Sequence, residues 1–228
     1  MQPLTPIAVL VSGGGTNLQA LLDVLQGSSL ARVTRVVSSR PDAGALERAS
    51  AAGVPTAVLV DPCNPAELVA ALGDAELVVL AGYLKRIPSA AVVRFRLRMI
   101  NIHPALLPGF GGPGMYGRRV HERVLASGAT LSGATVHYVD EEYDRGPIIA
   151  QWPVPVRSDD TPESLAARVL EVEHRLLPLV VTELVRRGVP RMPVRLFANG
   201  SAFVTGDNFA VELFNEADGR TGGRADRE

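Results

Sequence analysis

Asn101 and His103 flank Ile102 in the stretch MINIHPALLPGF (99–110), at the end of an apolar run and directly before a proline. Side chains of a strand alternate faces, so these two would point the same way. An amide and an imidazole on one face can hold and polarise a carbonyl oxygen and stabilise the negative charge that develops on it. The imidazole does this best when protonated, and a neighbouring carboxylate raises its pKa by favouring that form. The segment DEEYDRGP (140–147) offers Asp140, Glu141, Glu142 and Asp144. Asp144 precedes Arg145-Gly146-Pro147, a tight turn able to aim it inward. Taken alone, His103 reads more plainly as a hydrogen-bonded structural histidine. The joint presence of Asn101, a proline-led loop and a carboxylate-rich turn raises the chemical reading.

A second feature is VSGGGTNLQALL, where Gly13, Gly14 and Gly15 stand between an apolar strand and a helical pattern. There, backbone N–H groups and a helix dipole converge and favour an anion such as phosphate, with Thr16 and Asn17 free to cap the helix or bond the anion. A tight turn from strand to helix with no ligand is the alternative. The loop lacks the third glycine of a dinucleotide fingerprint, where Leu18 stands, and no Gly-Lys-Ser/Thr of a Walker loop follows.

Other reactive side chains carry less. The four histidines lack zinc-ligand spacing, and the single cysteine, Cys63, has no partner for a metal or a disulfide and no nearby base. His137 lies mid-strand and reads as structural ahead of a supporting role at the site. His121 reads as a surface or capping residue, His174 as helix packing, and Trp152 as core or edge cover.

These residues need a frame. Apolar runs at 7–12, 32–39, 56–60, 75–82 and 98–103 alternate with helical patterns, the signature of a largely parallel sheet. The helix after the second strand is expected to start with Asp42 as N-cap and to stop at Gly53. Shorter helices follow at PAELVAAL, after Pro88 and near 118–126. ATVHYVD (134–140) alternates like a strand with one solvated face, and GPIIAQWPVPV (146–156) reads as an edge strand because of its prolines. One long amphipathic helix spans 162–187, with an interruption expected at Pro178. The fold class is therefore α/β: a Rossmann-like open, mostly parallel twisted sheet, helices on both faces, and an antiparallel C-terminal edge.

The chain has 228 residues, enough for one domain and a real core. A net charge of −1 argues against a general nucleic-acid or anionic-membrane surface, and no apolar run is long enough to span a bilayer. The N-terminus lacks the basic region of a signal peptide, and one cysteine suits a reducing cytoplasm. The expected organisation is a domain over 1–190 and an extension over 191–228, polar and glycine-rich from Gly206, whose last ten residues read as disordered.

In order along the chain, VSGGGTNLQALLD, LAGYLKRIP, MINIHPALLPGF and GATVHYVDEEYDRGPIIAQ resemble the motifs of the phosphoribosylglycinamide formyltransferase family. The resemblance covers roughly residues 6–190. It implies the formyltransferase fold and transfer of a formyl group from 10-formyltetrahydrofolate to the amine of phosphoribosylglycinamide in purine biosynthesis. By the same resemblance, Gly13, Gly14, Gly15, Thr16 and Asn17 would cradle the substrate phosphate, and Glu173 would contact the glycinamide substrate. Leu84, Lys85, Arg86 and Ile87 would line the folate pocket together with Asn101 and Asp140. Asn101 and His103 would bind the formyl oxygen, with His103 as general acid, while Asp144 would raise the pKa of His103 and assist the proton transfer. The implied cosubstrate is 10-formyltetrahydrofolate with no metal; the partners are small molecules, the location cytoplasmic, and the chain a monomer or homodimer.

Three departures from the family pattern stand out. GFGGPGMYGRRVHERVL is longer than the commoner proline-glycine loop and makes contacts at Met115 to Arg118 unsafe to transfer. VDPCNPAEL lacks an arginine that many members use for folate, and the chain continues past residue 195. Formyltetrahydrofolate deformylase, methionyl-tRNA formyltransferase and a non-catalytic phosphate-binding module are the rival readings.

Overall fold

The computed structural model describes residues 3–196, and those as far as Arg195 belong to one compact unit. Strands β1 (Thr5–Val11), β2 (Ala31–Ser38), β3 (Thr56–Val58), β4 (Leu77–Leu80), β5 (Met99–His103), β6 (Leu131–Tyr138) and β7 (Ile148–Pro155) form one sheet in the order β3-β2-β1-β4-β5-β6-β7. Pairs from β3 through β5 are parallel, and β6 and β7 are antiparallel additions. The expected α/β architecture is present. Between β1 and β4 the direction of winding reverses, and the crevice outside the carboxyl ends at such a point is where open α/β sheets bind ligands.

The helices are α1 (Thr16–Leu25), α2 (Gly44–Ala51), α3 (Pro65–Leu72), α4 (Ser89–Arg94), α5 (Arg118–Ala126) and α6 (Pro162–Arg186). Both faces of the sheet are covered. Ala8 and Leu10 of β1 join Leu68 and Leu72 of α3 and Ala91, Val92 and Phe95 of the α4 region in one cluster. Ile7, Val9 and Val11 point the other way and are equally buried, on the side where α1 packs against α6.

Local signals account for several boundaries. Asn64 caps α3 by accepting from the N–H groups of Ala66 and Glu67 at 3.0 and 3.2 Å, with Pro65 as first residue. Thr161 opens α6 with a capping box to Ser164.

Four expectations need correction. Asp42 does not cap α2: its carboxylate is held by Arg40 at 2.9 and 2.6 Å, and Ala43 stands at the cap without a side-chain bond. α6 is not interrupted at Pro178. The proline forgoes only one backbone bond, and the buried packing of α6 on α1, α5, β6 and β7 holds the helix together. β6 has no solvated face: Ser132 through Tyr138 are all buried, since α6 packs against the strand and residues 105–107 lie over Thr135. β3 and β4 are shorter than their apolar runs, ending at Val58 and Leu80. The polar, glycine-rich stretch from Gly206 lies outside the described residues.

Candidate active site

His103 is the last residue of β5, and the pairing with β6 sets its surroundings. Across the antiparallel ladder Asn101 stands opposite His137, and His103 opposite Thr135. Asn101 Nδ2 donates to His137 Nε2 at 3.2 Å. His137 Nδ1 lies 2.8 Å from the Tyr138 carbonyl, which can only accept, so Nδ1 carries the proton and Nε2 is left as acceptor. That assignment leaves the second amide hydrogen of Asn101 free.

His103 is buried, with Nε2 2.7 Å from the Phe110 carbonyl and Nδ1 3.7 Å from Asp144 Oδ2. Burial pushes its pKa below the ordinary 6.5, and the pull of Asp144 and of the Phe110 carbonyl toward the charged form does not overcome it. Asp144 thus pulls His103 toward the charged form as expected, and burial outweighs that pull. Asp144 adopts a left-handed backbone (φ 56°) that turns its carboxylate inward, 3.6 Å from His137 Nε2. Burial pushes this carboxyl up. The contacts with His137 and His103, each attractive to the carboxylate when its ring is protonated, and the N–H of Gly112 (2.9 Å) together outweigh it and hold the group below 3.8.

The glycine loop follows β1. Gly15 is left-handed (φ 76°), and a Cβ there would stand 2.6 Å from Ala45, so α2 sits against the turn as only glycine permits. The Gly13 carbonyl accepts from Ala45 N at 3.1 Å, Gly14 from Arg48 Nε at 2.8 Å, and Gly15 from Gln19 N at 2.9 Å. No side chain caps α1. The carbonyls are thus engaged while the first-turn amides remain available to an anion. Beside them, Asn17 Nδ2 donates to Glu173 Oε2 at 2.6 Å, and Asn17 Oδ1 is buried with no partner among the described residues. Burial pushes the Glu173 carboxyl up to about 7 against the pull of Asn17.

After β4, the Leu84 N–H donates to Ser12 Oγ at 2.9 Å, and Ser12 Oγ shares a 2.7 Å hydrogen bond with Ser39 Oγ. Arg86 donates to the Glu141 carbonyl at 3.2 Å, linking this segment to the acidic turn. Asp140 Oδ1 accepts from Glu142 N within that turn.

One cavity of about 720 Å³ gathers most of the expected site. Asn17 and Glu173 line it, as do Leu84 to Ile87, Asn101, His103, Asp140 and Asp144. Gly13 to Thr16 are not among its lining residues and adjoin it through Asn17. Two histidines were underrated from sequence. His137 contacts Asn101 directly, a relation that needed the β5–β6 register. His121, expected at the surface, is buried and lines the cavity, and burial together with His103 pushes it below 6.5. The half-buried His174 is pushed down by burial and by Arg48, and Trp152 lies buried on β7 as core cover. Cys63 is exposed, and among the described residues no group of three His, Cys, Asp or Glu side chains could hold a metal ion.

Comparison with known proteins bears on the same residues. A family model described as formyl transferase matches residues 5–181. Phosphoribosylglycinamide formyltransferase, chloroplastic, of Arabidopsis thaliana is 47% identical over 185 residues, 77% of this chain and 63% of the relative. The chain therefore spans less than two thirds of that protein's length. Phosphoribosylglycinamide formyltransferase of Haemophilus influenzae is 39% identical over 184 residues, 77% of this chain and 84% of the relative. A crystal structure of glycinamide ribonucleotide transformylase 1 from Symbiobacterium toebii superposes with a TM-score of 0.73 at 39% identity, covering 81% of this chain and 89% of that one. With a family match over most of its length, set on the strands and turns that carry Asn101, His103 and Asp144, this chain belongs to the formyl transferase family.

Proposed function

We propose that this protein is a phosphoribosylglycinamide formyltransferase that takes its formyl group from 10-formyltetrahydrofolate. The observation that carries this reading is the single cavity. An anion-suited turn adjoins it through Asn17, and Glu173, the 84–87 segment, Asp140, Asn101, His103 and Asp144 all line it.

In this reading the phosphate of the substrate takes the amides of Gly13, Gly14, Gly15, Thr16 and Asn17, and Glu173 meets the glycinamide portion. The folate lies along Leu84, Lys85, Arg86 and Ile87, reaching Asp140 and Asn101. The amine attacks the formyl carbon directly, forming the new C–N bond, and the free Nδ2 hydrogen of Asn101 donates to the developing oxyanion. A protonated His103 adds positive charge at the same edge and serves as the general acid. Collapse breaks the bond to N10, His103 gives its proton to the leaving nitrogen, and the proton lost by the amine restores His103 with the help of Asp144. No nucleophilic side chain is required, and Cys63 is exposed.

The reaction needs small molecules only, with neither nucleic acid nor membrane, and its setting is the cytoplasm, in a monomer or homodimer. Among the described residues no helix is long and apolar enough to cross a membrane. Residues 1–190 form the catalytic domain in this reading, and 191–228 an extension.

The test is an assay of the protein with phosphoribosylglycinamide and 10-formyltetrahydrofolate. Formyl transfer to the amine is expected. Release of formate without transfer would identify a deformylase instead, and binding without turnover a non-catalytic module.

A further inference from the structure

The loop between β5 and α5 does more than border the cavity. Its first part is pinned to the sheet: Leu107 N donates to Thr135 Oγ1 at 3.1 Å, Thr135 Oγ1 donates to the Ala105 carbonyl at 2.7 Å, and Gln151 Nε2 donates to the Leu107 carbonyl at 2.8 Å. From that base the chain turns back over the two acid–base side chains. The Phe110 carbonyl meets His103 Nε2 at 2.7 Å and, two residues on, the Gly112 N–H meets Asp144 Oδ2 at 2.9 Å. The residue between them has no room for a side chain. A Cβ on Gly111 would stand 2.9 Å from Asp144 Cβ and collide with Leu107 Cδ2.

We propose that residues 110–112 form a backbone clasp holding His103 and Asp144 in register, and that Gly111 is the positioning residue that lets the clasp close. The inference rests on the formyltransferase reading for its kinetic part only. A carbonyl can only accept, so Phe110 keeps the His103 Nε2 protonated and turns Nδ1 toward Asp144. An N–H can only donate, so Gly112 favours the ionised carboxylate. Both bonds therefore stabilise the charged forms of the two side chains, in a site where burial disfavours them. Among the described residues three titratable groups face His103: Asp144 from the turn after β6, His137 from β6, and His121 from α5. Of these only Asp144 opposes the desolvation of an imidazolium, so the clasp is the second support for the charge.

Gly111→Ala tests this, with Gly109→Ala as control, because a Cβ at 109 meets nothing nearer than the Leu106 carbonyl at 3.6 Å. Labelled histidine nitrogens, of which the chain has four residues, report the titration of His103 directly. In Gly111→Ala the Nε2 signal should lose its hydrogen-bond shift and His103 should titrate at lower pH. The kcat should fall by at least about tenfold, and its alkaline limb should move to lower pH. The KM for the phosphate-bearing substrate should stay within about twofold, because the glycine turn is untouched. Gly112→Ala, which meets no atom but strains the left-handed backbone at φ 102°, should shift the same signals in the same direction, and it decides the matter if Gly111→Ala does not fold. The proposal is overturned if His103 titrates as in the wild type in these variants, if Gly109→Ala produces the same changes, or if kcat rises. The titration is read without turnover, so absence of formyl transfer in the wild type would refute the formyltransferase reading and leave the clasp still open to test.

Discussion

Asn101 and His137 face each other across the β5–β6 pair, and the amide of one donates to the unprotonated nitrogen of the other at 3.2 Å. The bond fixes which end of the amide is the donor, on a side chain that lines the cavity. The imidazole that accepts it is itself held by the Tyr138 carbonyl. Orientation of the Asn101 amide is therefore transmitted from the sheet backbone through His137.

Replacing His137 with alanine should release that amide. One oriented hydrogen bond lost from the transition state corresponds to about 1.4 kcal/mol, or roughly a tenfold lower kcat. Both KM values should change little, because the orientation matters most as the oxyanion forms. Steady-state kinetics of the variant decide it: a rise in KM alone would make His137 a substrate-binding residue.

Asp144→Asn removes the negative charge that faces His103 among the described residues. Burial already pushes this imidazole below 6.5, and losing the carboxylate leaves less to oppose it. His103 should then be charged only at still lower pH, so the alkaline limb of the rate profile should move to lower pH. The transfer rate should fall as well. An unchanged pH–rate curve would remove Asp144 from the mechanism.

The way these residues meet explains how much could be read from sequence. Asn101 and His103 were legible because a period of two puts them on one face and Pro104 ends the strand. The Asp144 turn was legible from its Gly-Pro sequel. His137 was not, because its role depends on the register of two antiparallel strands, which no local pattern fixes. His121 was misread for a related reason: its helix begins after a long glycine-rich loop, and the burial of its first turn depends on how that loop folds back. Asp42 looked like a cap by type, but Arg40 two residues away competes for the same carboxylate. Pro178 looked like a break by rule, yet α6 is buried along so much of its length that one missing hydrogen bond does not end it.

Gly15→Ala should disturb the anion end of the site. The left-handed backbone and the contact with Ala45 each penalise a side chain, and together they should cost about 1–3 kcal/mol. If the turn shifts to relieve the contact, its amides leave their common direction. The KM for the phosphate-bearing substrate should rise by about tenfold or more, while that for the folate holds. Equal effects on both substrates would show that the turn does not bind the phosphate specifically.

Ser12 ties the 84–87 segment to the core through the Leu84 amide. Ser12→Ala deletes that acceptor and leaves a part-buried N–H to find another. Loss of a hydrogen bond of this kind costs about 1 kcal/mol. The KM for the folate should therefore rise several-fold, with that for the phosphate-bearing substrate unchanged. The opposite pattern would assign the segment to the other substrate.

Glu173 gives a prediction in stability as well as activity. Its carboxyl moves from 4.5 to about 7 because the group is buried, and the donor from Asn17 does not compensate. A group whose folded pKa is raised binds more protons in the native state, so its contribution is fully present below pH 4.5. That contribution is lost as pH rises toward 7, and it levels off above that point. The full shift corresponds to about 3 kcal/mol as an upper bound, read as a fall in Tm between pH 4.5 and 8 beyond that of other groups. Glu173→Gln keeps the shape and an acceptor for Asn17 but cannot ionise. It should abolish this part of the slope and be more stable than the wild type at pH 8. It should also weaken the phosphate-bearing substrate, since the reading gives Glu173 a contact with its glycinamide part. Thermal denaturation at several pH values, with the KM of each substrate measured on the same preparations, separates the two effects. If the variant shows the wild-type slope, Glu173 is ionised in the folded protein and its hydrogen bond to Asn17 is an ordinary charge-assisted one.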